Sequence, residues 1–138
     1  MKKSMKYLIL LPILLIMSNP GLASELSPES IAGATTIDTA AAKVHFDNEV
    51  AFVDPRKDSD WDAGRIPGAI HLDFNGKLTE ESLSAVVKKD EPVVFYCNGI
   101  KCMLSPKAVT KAVSWGFTKV YFYREGFPEW KKANHPVE

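Results

Sequence analysis

The chain has 138 residues, 46% of them apolar and 25% charged, with 17 basic and 17 acidic side chains. That composition excludes a disordered or fibrous chain. The absence of any basic block in the body of the sequence argues against a nucleic-acid partner, whose phosphates would need one.

Residues 1–23 differ from the rest. Lys2, Lys3 and Lys6 precede an apolar run of 11 residues from Tyr7 to Met17, and Gly21-Leu22-Ala23 follows, with small residues on either side of Leu22. A basic start, a short apolar stretch and a small-x-small end are the pattern of a secretory signal peptide, with cleavage expected after Ala23. The run is too short to span a bilayer, which takes roughly 20 residues. Its removal would take three lysines and no acid, leaving 14 basic against 17 acidic side chains, formally −3. The expected mature product is a single soluble domain in the periplasm or otherwise secreted, monomeric and with no membrane partner.

Residues 24–49 read as a lead-in to the domain and 50–138 as its core. Ser27-Pro28-Glu29 predicts a single helical turn, with serine as cap and proline at the first helical position. Thr35 to Ile37 is β-prone. Asp38 predicts an N-cap for a helix through about Phe46, in which Ala40, Ala41 and Val44 are apolar. Val50 to Val53 is a compact apolar run suited to a strand buried on both faces. Lys57 to Gly68 is polar, punctuated by Gly and Pro, and reads as a long loop; Ala69 to Leu72 reads as a second short strand. Thr79 predicts the cap of a helix from Glu80 to about Lys88, with acids first, Lys88 and Lys89 last, and Leu83, Val86 and Val87 on one face. Pro92 to Tyr96 is the strongest strand signal. Ser105-Pro106 opens a helix whose Ala108, Val109, Ala112, Val113 and Trp115 face inward and which Gly116 stops. Val120 to Tyr123 is the last strand and Phe127 to Ala133 a terminal helix. Strands alternating with helices predict an α/β fold with a mainly parallel sheet.

Functional sites in such sheets lie beyond the carboxyl ends of the strands, and Cys97 falls there, between the strand ending at Tyr96 and the helix opening at Ser105. The loop between them is Asn98-Gly99-Ile100-Lys101-Cys102-Met103-Leu104. A tight loop before a helix N-terminus can aim backbone N–H groups inward. With the helix dipole they favour a thiolate and lower the cysteine pKa below about 8.5. Lys101 and Lys107 can add positive potential. A buried, unreactive cysteine after a strand is the other reading of that position.

The stretch Phe52-Val53-Asp54-Pro55-Arg56, followed by Asp60-Trp61-Asp62-Ala63-Gly64-Arg65-Ile66-Pro67-Gly68-Ala69-Ile70-His71-Leu72, resembles the first signature of the rhodanese family of sulfurtransferases. Val93 to Cys97 resembles the strand that delivers that family's catalytic cysteine. Gly116-Phe117 to Val120, and Glu125-Gly126 through Trp130 to Pro136-Val137, are similar to its C-terminal signature. The resemblance implies a rhodanese-like three-layer α/β fold with no cofactor. It makes Cys97 the nucleophile that takes sulfur from a small donor such as thiosulfate and passes it to a thiol or cyanide. Loop N–H groups would then hold the charged persulfide. Asp54 and Arg56 become supporting residues near the site, with Asp60 the candidate partner of Arg56.

The sequence also departs from that pattern. Family loops carry Arg five residues after the cysteine, then Ser; here the place holds Cys102, and Ser105 arrives about two positions late. Arg65 replaces the usual His, and Arg124-Glu125-Gly126 departs from a Gly-Gly pattern. Phosphatases of this fold need Cys-x5-Arg, and that position is Met103, which disfavours phosphate chemistry. The Cys-x4-Cys loop, with the Ile31 to Ile37 lead-in, resembles a subgroup of exported rhodanese-like proteins associated with quinoprotein-dependent alcohol catabolism, Met103 standing where they usually have Trp.

Cys102 keeps three readings. It resolves a Cys97 persulfide, or it protects Cys97 by reversible oxidation, or it forms a permanent disulfide in a non-catalytic binding module. The first two admit a thiol–disulfide redox protein with a periplasmic redox partner. Two cysteines without a Cys/His cluster make no metal site. His45, His71 and His135 are scattered and give no clear base for Cys97. Trp61, Trp115 and Trp130, with Phe122, Tyr123 and Phe127, read mainly as packing residues.

Overall fold

A computed structural model describes residues 25–138; the expected signal peptide over 1–23 lies outside the described residues. Five strands, β1 (Ala34–Ile37), β2 (Ala51–Asp54), β3 (Ile70–His71), β4 (Val93–Tyr96) and β5 (Val120–Tyr123), form one sheet in the order β1-β5-β4-β2-β3, every pair parallel. Five helices connect or follow them: α1 (Thr39–Asp47), α2 (Asp58–Ala63), α3 (Glu80–Ser84), α4 (Leu104–Ser114) and α5 (Gly126–Lys132). This is the α/β fold with a parallel sheet that the alternation of elements predicts, and it agrees with the architecture the resemblance implies.

The central strand β4 is buried at all four positions, as a parallel strand covered on both faces must be. Its residues alternate between two cores. Val93 and Phe95 join Val53, Phe122, Leu83 and Val109 on the α3–α4 side. Val94 and Tyr96 join Phe52, Tyr123, Ala42 and Trp130 on the α1–α5 side. The register carries these rows across the sheet, with Val53 beside Phe95 and Phe95 beside Phe122. Crossovers that run toward β3 lie on one face and those that run back toward β5 on the other, as right-handed connections require.

Local signals set the element ends. Asp38 caps α1 by accepting from the Ala41 N–H at 2.8 Å; Ala42 is the residue this helix buries, and Val44 is 58% exposed. Pro106 sits in the first turn of α4, where a missing N–H costs nothing.

Four expectations change. Ser27-Pro28-Glu29 forms no helical turn: Ser27 is buried, and its N–H donates to the Ile100 carbonyl at 2.7 Å, outside its own segment. Lys57 to Gly68 contains α2, whose Asp58 and Asp60 favour the first turn through the helix dipole. It buries no residue, so it has no apolar period to read. α3 ends at Ser84 rather than Lys88. The β-branched Val86 and Val87 fall in the following turn, which buries Val87 and leaves Val86 46% exposed. Lys89 therefore does not cap α3 but pairs with Glu80 at 2.6 Å.

Candidate active site

The chain leaves β2 toward β3 and leaves β4 toward β5, in opposite directions across the sheet. The loops after these adjacent strands therefore diverge and open a crevice, the position where ligands bind in such sheets. The first loop supplies Asp54-Pro55-Arg56 and the second Cys97-Asn98.

Cys97 is 1% exposed and is joined to Cys102 in a disulfide. That bond belongs to all three readings of Cys102: the product of resolution, the protected form and the permanent staple. The loop from Asn98 to Met103 is held at few points. Of its backbone N–H groups only that of Cys102 has a protein acceptor among the described residues, the Gly99 carbonyl at 3.0 Å. The Cys97 carbonyl accepts from the Phe127 N–H at 2.9 Å. Asn98, Gly99, Ile100 and Lys101 line one wall of a cleft of about 460 Å³ whose other wall is Glu125, Pro128 and Glu129. Met103 lies on the opposite flank, with Pro28, Phe74 and Pro106, in a mainly apolar groove.

The β5–α5 turn is pressed against this loop. Gly126 has φ +70°, and a Cβ there would fall on the Cys97 carbonyl oxygen and lie 2.9 Å from the Gly99 nitrogen. Backbone on both sides cannot yield, and a left-handed residue other than glycine adds its own strain. Gly126→Ala is therefore expected to destabilise the fold by about 2 kcal/mol or more. A thermal melt unchanged from wild type would contradict this close approach.

Behind Cys97 lies a buried polar network. The Arg56 guanidinium grips the Asp54 carboxylate through Nε to Oδ1 at 2.9 Å and Nη2 to Oδ2 at 2.7 Å, and both side chains are almost fully buried. Nη2 also donates to the Gly64 carbonyl at 2.7 Å, and Nη1 to Asn98 Oδ1 at 2.9 Å. Asn98 Nδ2 donates to Asp60 at 3.0 Å. The Tyr96 hydroxyl donates to Asp54 Oδ2 at 2.8 Å and accepts from the Ile66 N–H at 3.1 Å. Burial alone would weaken the Arg56 charge, but the hydrogen bonds and charge of Asp54 outweigh it and raise the guanidinium pKa. The expected Arg56–Asp60 pair is thus corrected. Arg56 pairs with Asp54, two residues away on the same extended segment, and reaches Asp60 only through Asn98. Asn98, the residue after Cys97, is thus tied both to Arg56 just beyond β2 and to Asp60 in α2.

Burial first, then the Asp54 charge, pushes the Tyr96 phenol far above its ordinary value; burial pushes Tyr123 up to about 12. Both hold their protons longer when folded than when unfolded. Their contribution is complete below about pH 10 and is lost as pH rises above it. Tyr96→Phe leaves the buried Ile66 N–H without its acceptor, at a cost of about 1–3 kcal/mol near neutrality. It should also flatten the alkaline decline. Urea midpoints measured from pH 7 to 11 check both, and an undiminished alkaline decline would contradict this role of the phenol.

The histidines are engaged elsewhere. His71 is stacked on Trp61 and bonded through Nε2 to the Arg56 carbonyl at 2.7 Å; His45 lies on Tyr121 and His135 on Trp130. Phe122, Tyr123 and Trp130 are fully buried packing residues and Phe127 nearly so. Among the described residues no cluster of His, Cys, Asp or Glu is arranged to hold a metal ion, and no helix is long and apolar enough to cross a membrane.

For three residues sequence reasoning named the position but not the contact. Tyr96 was legible only as a strand residue, although a tyrosine at a buried strand end needs a polar partner. Asn98 carried no signal for its bridging role. Ser27 carried none for its place under the loop, where its carbonyl accepts from Arg124 Nη2 at 2.8 Å.

Comparison with known proteins gives a consistent result. The family model described as Rhodanese-like domain matches residues 36–133. A helix-turn-helix (HTH-type) transcriptional regulator of Mycobacterium tuberculosis is 36% identical over 90 residues, 65% of this chain and 38% of that protein. The chain thus spans well under half the length of that relative. Among solved structures, a protein of Bacillus halodurans superposes with a TM-score of 0.67 at 27% identity, covering 75% of this chain and 76% of that one. A human single-domain sulfurtransferase superposes at 0.60 with 20% identity, covering 70% and 95%, a likeness of fold.

Proposed function

The chain belongs to the Rhodanese-like domain family, and on that premise we propose that it is a sulfurtransferase that carries sulfane sulfur as a persulfide on Cys97. The observation that carries this reading is the position of Cys97. It directly follows the central strand at the crevice and opens a loop most of whose N–H groups have no protein acceptor among the described residues and which feeds the N-terminus of the 11-residue helix α4. Such donors stabilise a thiolate and then the negative terminal sulfur of a persulfide. A protein of the same fold bears the name sulfurtransferase.

The reaction starts from the reduced pair. The Cys97 thiolate attacks the outer sulfur of a donor such as thiosulfate; the S–S bond of the donor breaks and sulfite leaves with the electron pair. An acceptor, a thiolate or cyanide, then attacks the outer sulfur of the Cys97 persulfide and regenerates the thiolate. Cys102 offers a second exit. Attack on the inner sulfur forms the Cys97–Cys102 disulfide and releases hydrosulfide, and two electrons from a dithiol reset the site. The Cys97–Cys102 bond is the product that this branch would form, and opening it again is the chemistry of a thiol–disulfide redox protein. The signal-like residues 1–23 support an exported, oxidising setting, periplasmic or otherwise secreted, in which the disulfide is the resting form.

The test is steady-state transfer from thiosulfate to cyanide by the reduced protein. Thiocyanate formation with ping-pong kinetics is expected. Failure of the reduced protein to turn over with either cyanide or a thiol acceptor would overturn the reading and leave a non-catalytic rhodanese-like module.

A further inference from the structure

We propose that the Cys97–Cys102 disulfide is opened from one side only: a dithiol reductant attacks the sulfur of Cys102, and Cys97 departs as the free thiolate. The proposal rests on the sulfurtransferase reading for its purpose, since Cys97 is the residue that must be freed.

Thiol–disulfide exchange is an in-line displacement, so the attacked sulfur must be approachable from the side opposite its partner. The two cysteines differ in exposure. Cys97 is 1% exposed, whereas Cys102 is partly exposed. Its flanks are open as well: Ile100 is 41% and Met103 40% exposed, and Lys101 is exposed. Tethering follows the same division. The Cys97 end of the loop is bonded to the Phe127 N–H and backed by Gly126, and the Ile100 carbonyl is bonded to Ser27. Cys102 has the Gly99 carbonyl as its backbone partner within the loop.

The leaving group agrees with the approach. A lower-pKa thiol leaves faster. Cys97 follows β4 and opens a loop most of whose N–H groups have no protein acceptor among the described residues, donors of the kind that stabilise a departing thiolate. The more exposed cysteine and the one proposed to leave as the thiolate are therefore different residues, in the arrangement that frees the nucleophile.

The step balances. A reductant thiolate forms a bond to Cys102 Sγ, the Cys97–Cys102 bond breaks, and Cys97 takes the electron pair. The second thiol of the reductant then attacks its own mixed-disulfide sulfur and releases Cys102. The dithiol becomes a disulfide, and the pair gains two electrons and two protons. Until that second step the Cys97 thiolate can return to Cys102 and expel the reductant, so a dithiol, whose own second thiol competes intramolecularly, completes the opening.

The experiment uses the oxidised wild-type protein and glutathione, a monothiol that stops at the first step. Aliquots are quenched in acid over a time course, free thiols are capped with N-ethylmaleimide, and trypsin, cutting after Lys101, puts the two cysteines on separate peptides. Extrapolated to zero time, glutathione on Cys102 with maleimide on Cys97 should exceed the reverse by at least about tenfold. Equal labelling, a preference for Cys97, or no mixed disulfide at all would overturn the proposal. Sulfur uptake by chemically reduced protein is read separately and does not depend on which sulfur was attacked, so failure here and failure of the transferase reading are distinct results.

Discussion

Cys97→Ser is expected to lower thiocyanate formation from thiosulfate and cyanide by roughly three orders of magnitude or more, the scale on which removing a covalent nucleophile acts. A serine hydroxyl at this position is neither ionised near neutrality nor able to hold sulfur as a persulfide. The loop, its N–H groups and the helix behind it remain, but they have no sulfur anion to stabilise. Cys102→Ser should behave in the opposite way. It leaves Cys97 as the unpaired thiol, so the variant should transfer sulfur without prior reduction, whereas wild type should need a dithiol first. Both are measured in one coupled assay with and without reductant. Activity that disappears equally in the two variants would instead identify a dithiol–disulfide mechanism in which neither cysteine works alone. Unchanged activity in Cys97→Ser would remove the nucleophile from this residue.

Arg56→Ala is expected to cost about 3–5 kcal/mol of stability, because it strands the Asp54 carboxylate without its cation. The carboxylate is fully buried, and the guanidinium supplies three of its contacts at 2.7, 2.9 and 3.1 Å. The loss spreads to the site, since Arg56 also holds Asn98, the residue after Cys97, at 2.9 Å. The size of the effect reflects an uncompensated charge more than the intrinsic worth of the pair. A double variant, Asp54→Asn with Arg56→Met, should therefore be more stable than Arg56→Ala alone. Urea unfolding with an unchanged m-value measures both. A single variant within about 1 kcal/mol of wild type would show that water reaches Asp54 and relieves its burial.

The features legible in the sequence were those with a period or a boundary. Pro92 to Tyr96 reads as a strand because an unbroken apolar run bounded by turns fits a strand covered on both faces, and β4 occupies Val93–Tyr96. Asp38, Thr79 and Gly116 mark helix ends through their own chemistry, and each does so in the structure. Cys97 could be placed because the alternation of elements fixes where a parallel sheet presents its sites. The rest depends on contacts that no local rule encodes. α2 was hidden because a short exposed helix has no apolar stripe. Asp54 and Arg56 share a face by their two-residue spacing in extended chain, yet which acid meets the guanidinium is decided by burial. The Tyr96–Asp54 bond spans 42 residues and the Arg124–Ser27 bond 97. Such pairs exist only once the sheet has brought their strands and loops together.

The central claim is that Cys97 carries the transferred sulfur. It is tested most directly by reducing the protein, removing the reductant, adding thiosulfate and locating the adduct by tandem mass spectrometry after capping. The account predicts a species about 32 Da heavier, one sulfur atom, with the extra sulfur on the tryptic peptide that ends at Lys101 and contains Cys97. Sulfur found only on the Cys102 peptide, or a reduced protein that gains no mass, would contradict it.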